Sequence, residues 1–134
     1  MNLSSLFSKQ KQRTVIIADD VGTIRMIVAS VFRKVGFEII EARNGEEVLV
    51  MVKAHPPDLI VLDLHMGIKD GITTINDLHQ NERSRDIPII VLSGDSSETM
   101  INKVLHMPGV VDYIIKDNLE NVTSKLELHL QDIK

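Results

Sequence analysis

The chain has 134 residues, room for one domain, and its 43% hydrophobic and 25% charged content fits neither a disordered nor a collagen-like class. Three Phe, one Tyr and no Trp leave too few rings for a stacking site such as a flavin pocket or a single-strand binding groove. The net charge of −4 gives no overall attraction to nucleic acid or anionic lipid, and the absence of cysteine excludes disulfides, thiolate metal sites and a Cys nucleophile.

Residues 1–13 read as a flexible tail and 14–134 as the domain. In the tail, Leu3, Leu6 and Phe7 could form one amphipathic turn, but the basic residues follow the apolar ones, the reverse of a secretory signal. No run of about 18 apolar residues occurs anywhere, so the expectation is a soluble cytoplasmic protein without membrane insertion.

In chain order, 15–18 is a β-branched run that reads as a strand and ends in Asp19 and Asp20. Ile24, Ile27, Val28, Val31 and Val35 then recur on one helical face, closed by Gly36. A second strand at 37–40 precedes Asn44-Gly45 and a stripe of Val48, Leu49 and Val52. The third strand, 59–62, is apolar at every position, the mark of a strand covered on both faces, and Asp63 follows it. Ile72, Ile75 and Leu78 make the next helical stripe, and the strand at 87–92 ends in Ser93. The fourth helix sets Met100, Lys103 and Met107 on one side and Ile101, Val104 and Leu105 on its core side; such a Met stripe is more often peripheral core than an interface. A fifth strand at 113–115 leads into Lys116, and Leu119, Val122, Leu126, Leu130 and Ile133 form the last stripe.

Strand and helix alternating at this spacing imply parallel βαβ units with right-handed crossovers, hence a five-stranded parallel α/β sheet. In such sheets the ligand crevice lies outside the carboxyl ends of the strands. Asp19, Asp20, Asp63, Ser93 and Lys116 all stand there. Each has a plainer reading: either Asp of the first pair could cap a helix, Asp63 and Ser93 could begin turns, and Lys116 could be one solvated charge. Capping would not account for both carboxylates of the pair.

Two carboxylates about 5 Å apart at an effective dielectric near 20 repel by roughly 3 kcal/mol, so three together call for a cation. Lys116 supplies one charge and leaves −2 from the three Asp residues, which suits a divalent ion. Oxygen ligands without His nitrogen or Cys sulfur favour magnesium or manganese over zinc. Asp63 is the candidate nucleophile, since a carboxylate can take a phosphoryl group as an acyl phosphate. Lys116, the Ser93 hydroxyl and the metal would stabilise the equatorial oxygens, and Gly94 leaves space beside them.

The segments IIADDVGTIRMIV (16–28), NGEEVL (44–49), HPPDLIVLDLHM (55–66) with DG at 70–71, IPIIVLSGD (87–95) and VDYIIKD (111–117) resemble the receiver domains of two-component response regulators, including the stand-alone chemotaxis type. The likeness covers about residues 14–133. It implies a doubly wound, flavodoxin-like sheet in the order 2-1-3-4-5 with five helices, the order for which a chemotaxis receiver is a standard example. It further implies that Asp63 is the phosphoacceptor, Asp20 a direct Mg2+ ligand, Asp19 a ligand through water, and the His65 backbone carbonyl another ligand. Ser93 would be the switch hydroxyl, Tyr113 the switch aromatic, and Lys116 a contact to the phosphoryl oxygens. His65 and Asp95 resemble the positions that set dephosphorylation rate, although an exposed loop histidine acting only through its backbone is the plainer reading.

The chain departs from the family pattern at Gly67, where a proline often stands and where glycine would make the loop more mobile, and at Asp117, where a proline usually follows the lysine. Without that proline the 116–117 peptide is expected to be trans. The resemblance therefore implies a single-domain regulator, monomer or weak dimer. A histidine kinase or phosphotransfer protein would phosphorylate it, and it would signal to a downstream protein through a face that includes Met100, Lys103 and Met107. The alternative is a binding module of the same fold that works without phosphorylation. A small-molecule phosphatase is a third reading, against which His65 stands where a second catalytic Asp would be needed.

Overall fold

The computed structural model describes residues 12–131; the predicted tail turn at Leu3, Leu6 and Phe7, and Ile133 of the last stripe, lie outside them. Five strands, β1 (Thr14–Ala18), β2 (Glu38–Ala42), β3 (Leu59–Asp63), β4 (Ile89–Ser93) and β5 (Val110–Ile115), alternate with five helices. These are α1 (Gly22–Arg33), α2 (Gly45–Ala54), α3 (Gly71–Gln80), α4 (Glu98–Leu105) and α5 (Leu119–Leu130). All strand pairs are parallel and the sheet runs β2-β1-β3-β4-β5, as the resemblance implies.

Side chains on a strand alternate between its faces, and here the alternation sorts the apolar residues into two cores. Ile16, Ala18, Ile60, Leu62 and Val91 pack with Val48, Val52, Ile75, Leu78 and Val104 from α2, α3 and α4. Val15, Ile17, Val61, Ile90, Leu92 and Ile114 pack with Val28, Phe32, Val122 and Leu126 from α1 and α5. Burying each such side chain contributes about 1.5–3 kcal/mol, so the continuous apolar run of β3 is stabilised on both faces. Four helices start at side-chain caps: Asn44 accepts from the Glu47 N–H, Asp70 from Thr73, Ser97 from Met100 and Asn118 from Asn121.

Several predicted boundaries move. β2 begins at Glu38 rather than at residue 37 and runs on to Ala42. Gly36, at φ 87°, turns the chain back, and the Phe37 N–H bonds the Phe32 carbonyl while the two rings meet edge to face at 5.2 Å. β4 begins after Pro88, which has no N–H to give, and β5 begins three residues earlier than predicted, across a register irregularity at Ile89/Ile90. Leu105, expected on the core side of α4, is 41% exposed, and Leu119 at the head of α5 is 43% exposed. Met100 and Met107 are partly buried against the first core, Met107 beyond the end of α4, whereas Lys103 is exposed. Those two methionines therefore sit at the periphery of the core, the plainer reading of their stripe.

Candidate functional site

The order of the sheet makes β1 and β3 neighbours, with Ala18 opposite Leu62, so Asp19 and Asp63 emerge side by side although 44 residues separate them in the chain. Asp19, Asp20 and Asp63 each bring a carboxylate oxygen within 4.8 Å of the others. Asp19 and Asp63 are buried and Asp20 is exposed. The Lys116 ammonium arrives from the end of β5 and lies 3.1 Å from Asp19 Oδ2 and 3.2 Å from Asp63 Oδ1.

The plainer reading of the acidic pair fails. The residue preceding α1 is Val21, which has no polar side chain to cap with, and neither Asp occupies the cap position. Asp19 instead accepts the Val21 N–H at 2.8 Å through Oδ1, leaving Oδ2 to Lys116. Asp63 accepts the His65 N–H at 3.3 Å, and the His65 side chain is exposed.

Electrostatics follow from this packing. Burial pushes the Asp63 carboxyl above the ordinary carboxylate range, and the Asp19 charge adds to that shift against the opposing pull of Lys116 and the His65 N–H. Burial works to lower the Lys116 ammonium, but Asp19 and Asp63 together outweigh it and hold its pKa above the usual lysine value. Three hard carboxylate oxygens with a single ammonium remain short of positive charge. That donor set fits Mg2+ or Mn2+.

Ser93 is buried at the carboxyl end of β4, and its Oγ accepts the Asp95 N–H at 3.1 Å. Asp95 in turn accepts the Ser97 N–H at 2.9 Å, and hydrogen bonds from the Ser97 hydroxyl and N–H hold its carboxyl below the ordinary range. The Tyr113 ring is buried, and its hydroxyl donates to the Asp95 carbonyl at 2.6 Å. Ser93, Asp95 and Tyr113 thus form one connected group beside the carboxylates. Met100, Lys103 and Met107 lie on or after α4 and are not part of it.

Two features were not legible as functional in the sequence. Gly71 brings the chain back against the end of β3: its N–H bonds the Leu64 carbonyl at 2.9 Å, and a Cβ there would stand 2.7 Å from the Asp63 carbonyl oxygen and the Leu64 Cα. Arg25 reaches from α1 to the Asp19 carbonyl oxygen at 2.6 Å; its one sequence signal is a basic residue set between two members of an apolar stripe, Ile24 and Ile27. In the loop after β3, Gly67 is not the residue with positive φ. Ile68 is, at φ 62°, 87% exposed and bridged by a Lys69 N–H to Gly67 carbonyl bond of 2.7 Å. No cis peptide bond occurs among the described residues, so 116–117 is trans as expected.

The family model described as "Response regulator receiver domain" matches residues 15–127, which include every one of these site residues. The chain is a response regulator receiver domain. This receiver is similar to the chemotaxis protein CheY of Bacillus subtilis, 32% identical over 103 residues that make up 76% of this chain and 83% of that protein. It is also similar to the transcriptional regulatory protein PdtaR of Mycobacterium tuberculosis, 33% identical over 78% of this chain and 49% of that one. The chain spans about half the length of the curated relatives that it matches first. In fold, the receiver resembles that of the sensor histidine kinase PA1611 from Pseudomonas aeruginosa, with a TM-score of 0.77, 19% identity, and coverage of 92% of this chain and 98% of that one. That structure has a magnesium ion coordinated in its active-site cleft. No helix among the described residues of this receiver is long and apolar enough to cross a membrane.

Proposed function

We propose that this receiver takes a phosphoryl group from a phosphohistidine, on a histidine kinase or phosphotransfer protein, onto Asp63 and then loses it to water. The observation that carries the reading is the position of Lys116 Nζ, 3.1 and 3.2 Å from Asp19 and Asp63 in the middle of the carboxylate cluster. In the transfer, an Asp63 oxygen attacks phosphorus, the phosphorus–nitrogen bond breaks, and the imidazole leaves with the electron pair and takes up a proton. Asp63 must be ionised to attack, and Lys116 favours that state against the burial and the Asp19 charge that oppose it.

Asp20, Asp19, Asp63 and the His65 carbonyl would hold Mg2+, which supplies charge neutralisation to the transferring oxygens. Magnesium in the PA1611 receiver supports that choice. Lys116 then contacts a phosphoryl oxygen, and the Ser93 hydroxyl turns from its Asp95 contact to donate to another. The resulting change at Asp95 reaches Tyr113, whose hydroxyl is bonded to the Asp95 carbonyl, and through it the face formed by α4, β5 and α5. Met100, Lys103 and Met107 belong to the part of that face read by a downstream protein. His65 and Asp95 set the lifetime of the phosphoryl group.

The test is incubation with acetyl phosphate or a phosphoramidate and Mg2+, followed by mass measurement. A single base-labile phosphoryl gain, absent in Asp63→Asn, is expected. Its absence from the wild type would sink the reading in favour of a phosphorylation-independent binding module, and rapid turnover of many phosphate esters would favour a phosphatase. In the same preparation, decay is expected to change in His65→Asn and Asp95→Ala; unchanged decay in both removes them from the mechanism.

A further inference from the structure

We infer that Arg25 is a positioning residue that sets the metal loop, acting on Asp20 through the peptide bond between residues 19 and 20. This inference rests on the metal site proposed above. The Arg25 side chain is only 15% exposed and holds two partners at once, the Asp19 carbonyl oxygen at 2.6 Å through Nη1 and Glu41 Oε1 at 3.1 Å through Nε. On the other side, the Asp19 N–H donates to the Ala42 carbonyl at 3.1 Å. Both backbone groups of Asp19 are therefore tied to the end of β2, one directly at Ala42 and the other through Arg25 at Glu41.

The Asp19 carbonyl belongs to the peptide that leads into Asp20. Rotating that peptide swings the Cα–Cβ direction of Asp20, whose exposed carboxylate nothing else restrains among the hydrogen bonds and ion pairs of the described residues. Asp19 differs, because Lys116 and the Val21 N–H hold its carboxylate independently of Arg25. The absence of a polar cap on α1 makes the same contact more consequential: Val21 offers no side-chain acceptor, and Arg25 ties the first turn of α1 to the loop in its place. A guanidinium suits this task because its planar fork can serve a carbonyl and a carboxylate in different directions, which one ammonium on a flexible stem does poorly. Groups that orient metal ligands without touching the metal typically change metal affinity by about 10–100-fold when removed.

The experiment measures Mg2+ binding to the full chain by calorimetry without any phosphodonor, for the wild type, Arg25→Met, Arg25→Lys and Glu41→Gln. Arg25→Met is expected to raise the Mg2+ Kd roughly tenfold, and Arg25→Lys nearly as much. Glu41→Gln is expected to raise it by a smaller factor. With acetyl phosphate, the Mg2+ concentration at half-maximal rate should rise while the rate at saturating Mg2+ stays near that of the wild type. Loss of thermal stability with an unchanged Kd would mean that the contact is merely structural and would overturn the inference. If Arg25→Met does not fold, Glu41→Gln, altered at a residue whose side chain is half exposed, decides by the same criterion. Wild-type protein that binds no Mg2+ would overturn the metal site as well, whereas equal binding by wild type and variants overturns this inference alone.

Discussion

Asp63 is buried beside Asp19, and because its folded-state pKa is raised, the unfolded chain releases its proton at a lower pH than the folded one. In the window from the ordinary carboxylate pKa up to the raised value, the folded state binds more protons, so stability falls as pH rises through it. Above the window the destabilisation is complete; below it there is none. The metal-free Asp63→Asn variant, melted in chelator at neutral pH, should therefore unfold above the wild type, by about 3–5 °C for each kcal/mol of repulsion removed. That advantage should vanish as pH drops below the ordinary Asp range. An Asn variant equal to or less stable than wild type at neutral pH would show that Lys116 already compensates the acidic cluster. Lys116 behaves in the opposite sense: its raised pKa contributes stability that persists below the usual lysine value and is lost as pH rises through the folded one. That loss lies in the alkaline range, outside the Asp63 window.

At the scale of elements, the segment joining β3 to α3 is held close to the site at its α3 end. Asp70 caps α3 through the Thr73 N–H, and the next residue, Gly71, packs its backbone against Asp63 and Leu64. Gly71→Ala would place a methyl group 2.7 Å from backbone atoms that no rotamer change can relieve. A loss of about 2 kcal/mol or more is expected from such overpacking, measured as a lowered denaturation midpoint with slower phosphorylation of Asp63. If the midpoint is unchanged, the loop yields freely and its approach to Asp63 is not a constraint. The second strand and the fourth helix teach a related lesson. Phe37 has the composition of a strand residue but serves as the partner of Phe32, and Leu105 falls to the side of the face of α4 whose Met100, Ile101 and Val104 meet the core. Composition reports that a residue is apolar, whereas the packing of its element decides whether that apolar surface is covered.

Across the whole molecule, the acidic cluster links metal binding to stability. A ligand that binds only the folded state adds about 2.7 kcal/mol at a hundred times its Kd. Saturating Mg2+ should therefore raise the melting midpoint by roughly 10 °C. Differential scanning calorimetry of wild type and Asp20→Asn checks this, with a much smaller rise expected for the variant. Equal shifts in both would mean that the ion acts elsewhere or through general screening.

The periodic pattern of the chain determined the alternation of five strands and five helices, because whether a segment buries one stripe, one face or both faces is written in its own residues. It also determined that Asp19, Asp20, Asp63, Ser93 and Lys116 stand at carboxyl ends of strands, and the resemblance of the surrounding segments supplied their order in the sheet. Tertiary structure alone decided the distances. Lys116 is 97 residues from Asp19 in the chain, and the two meet because the site at the β1–β3 edge is closed by a lysine reaching in from β5 across β4. The roles of Arg25 and Gly71 were not legible for the same reason. Arg25 acts through a carbonyl, so a basic residue beside an apolar stripe was its one signal, and Gly71 acts through the absence of a side chain, which matters only once the neighbouring backbone is in place.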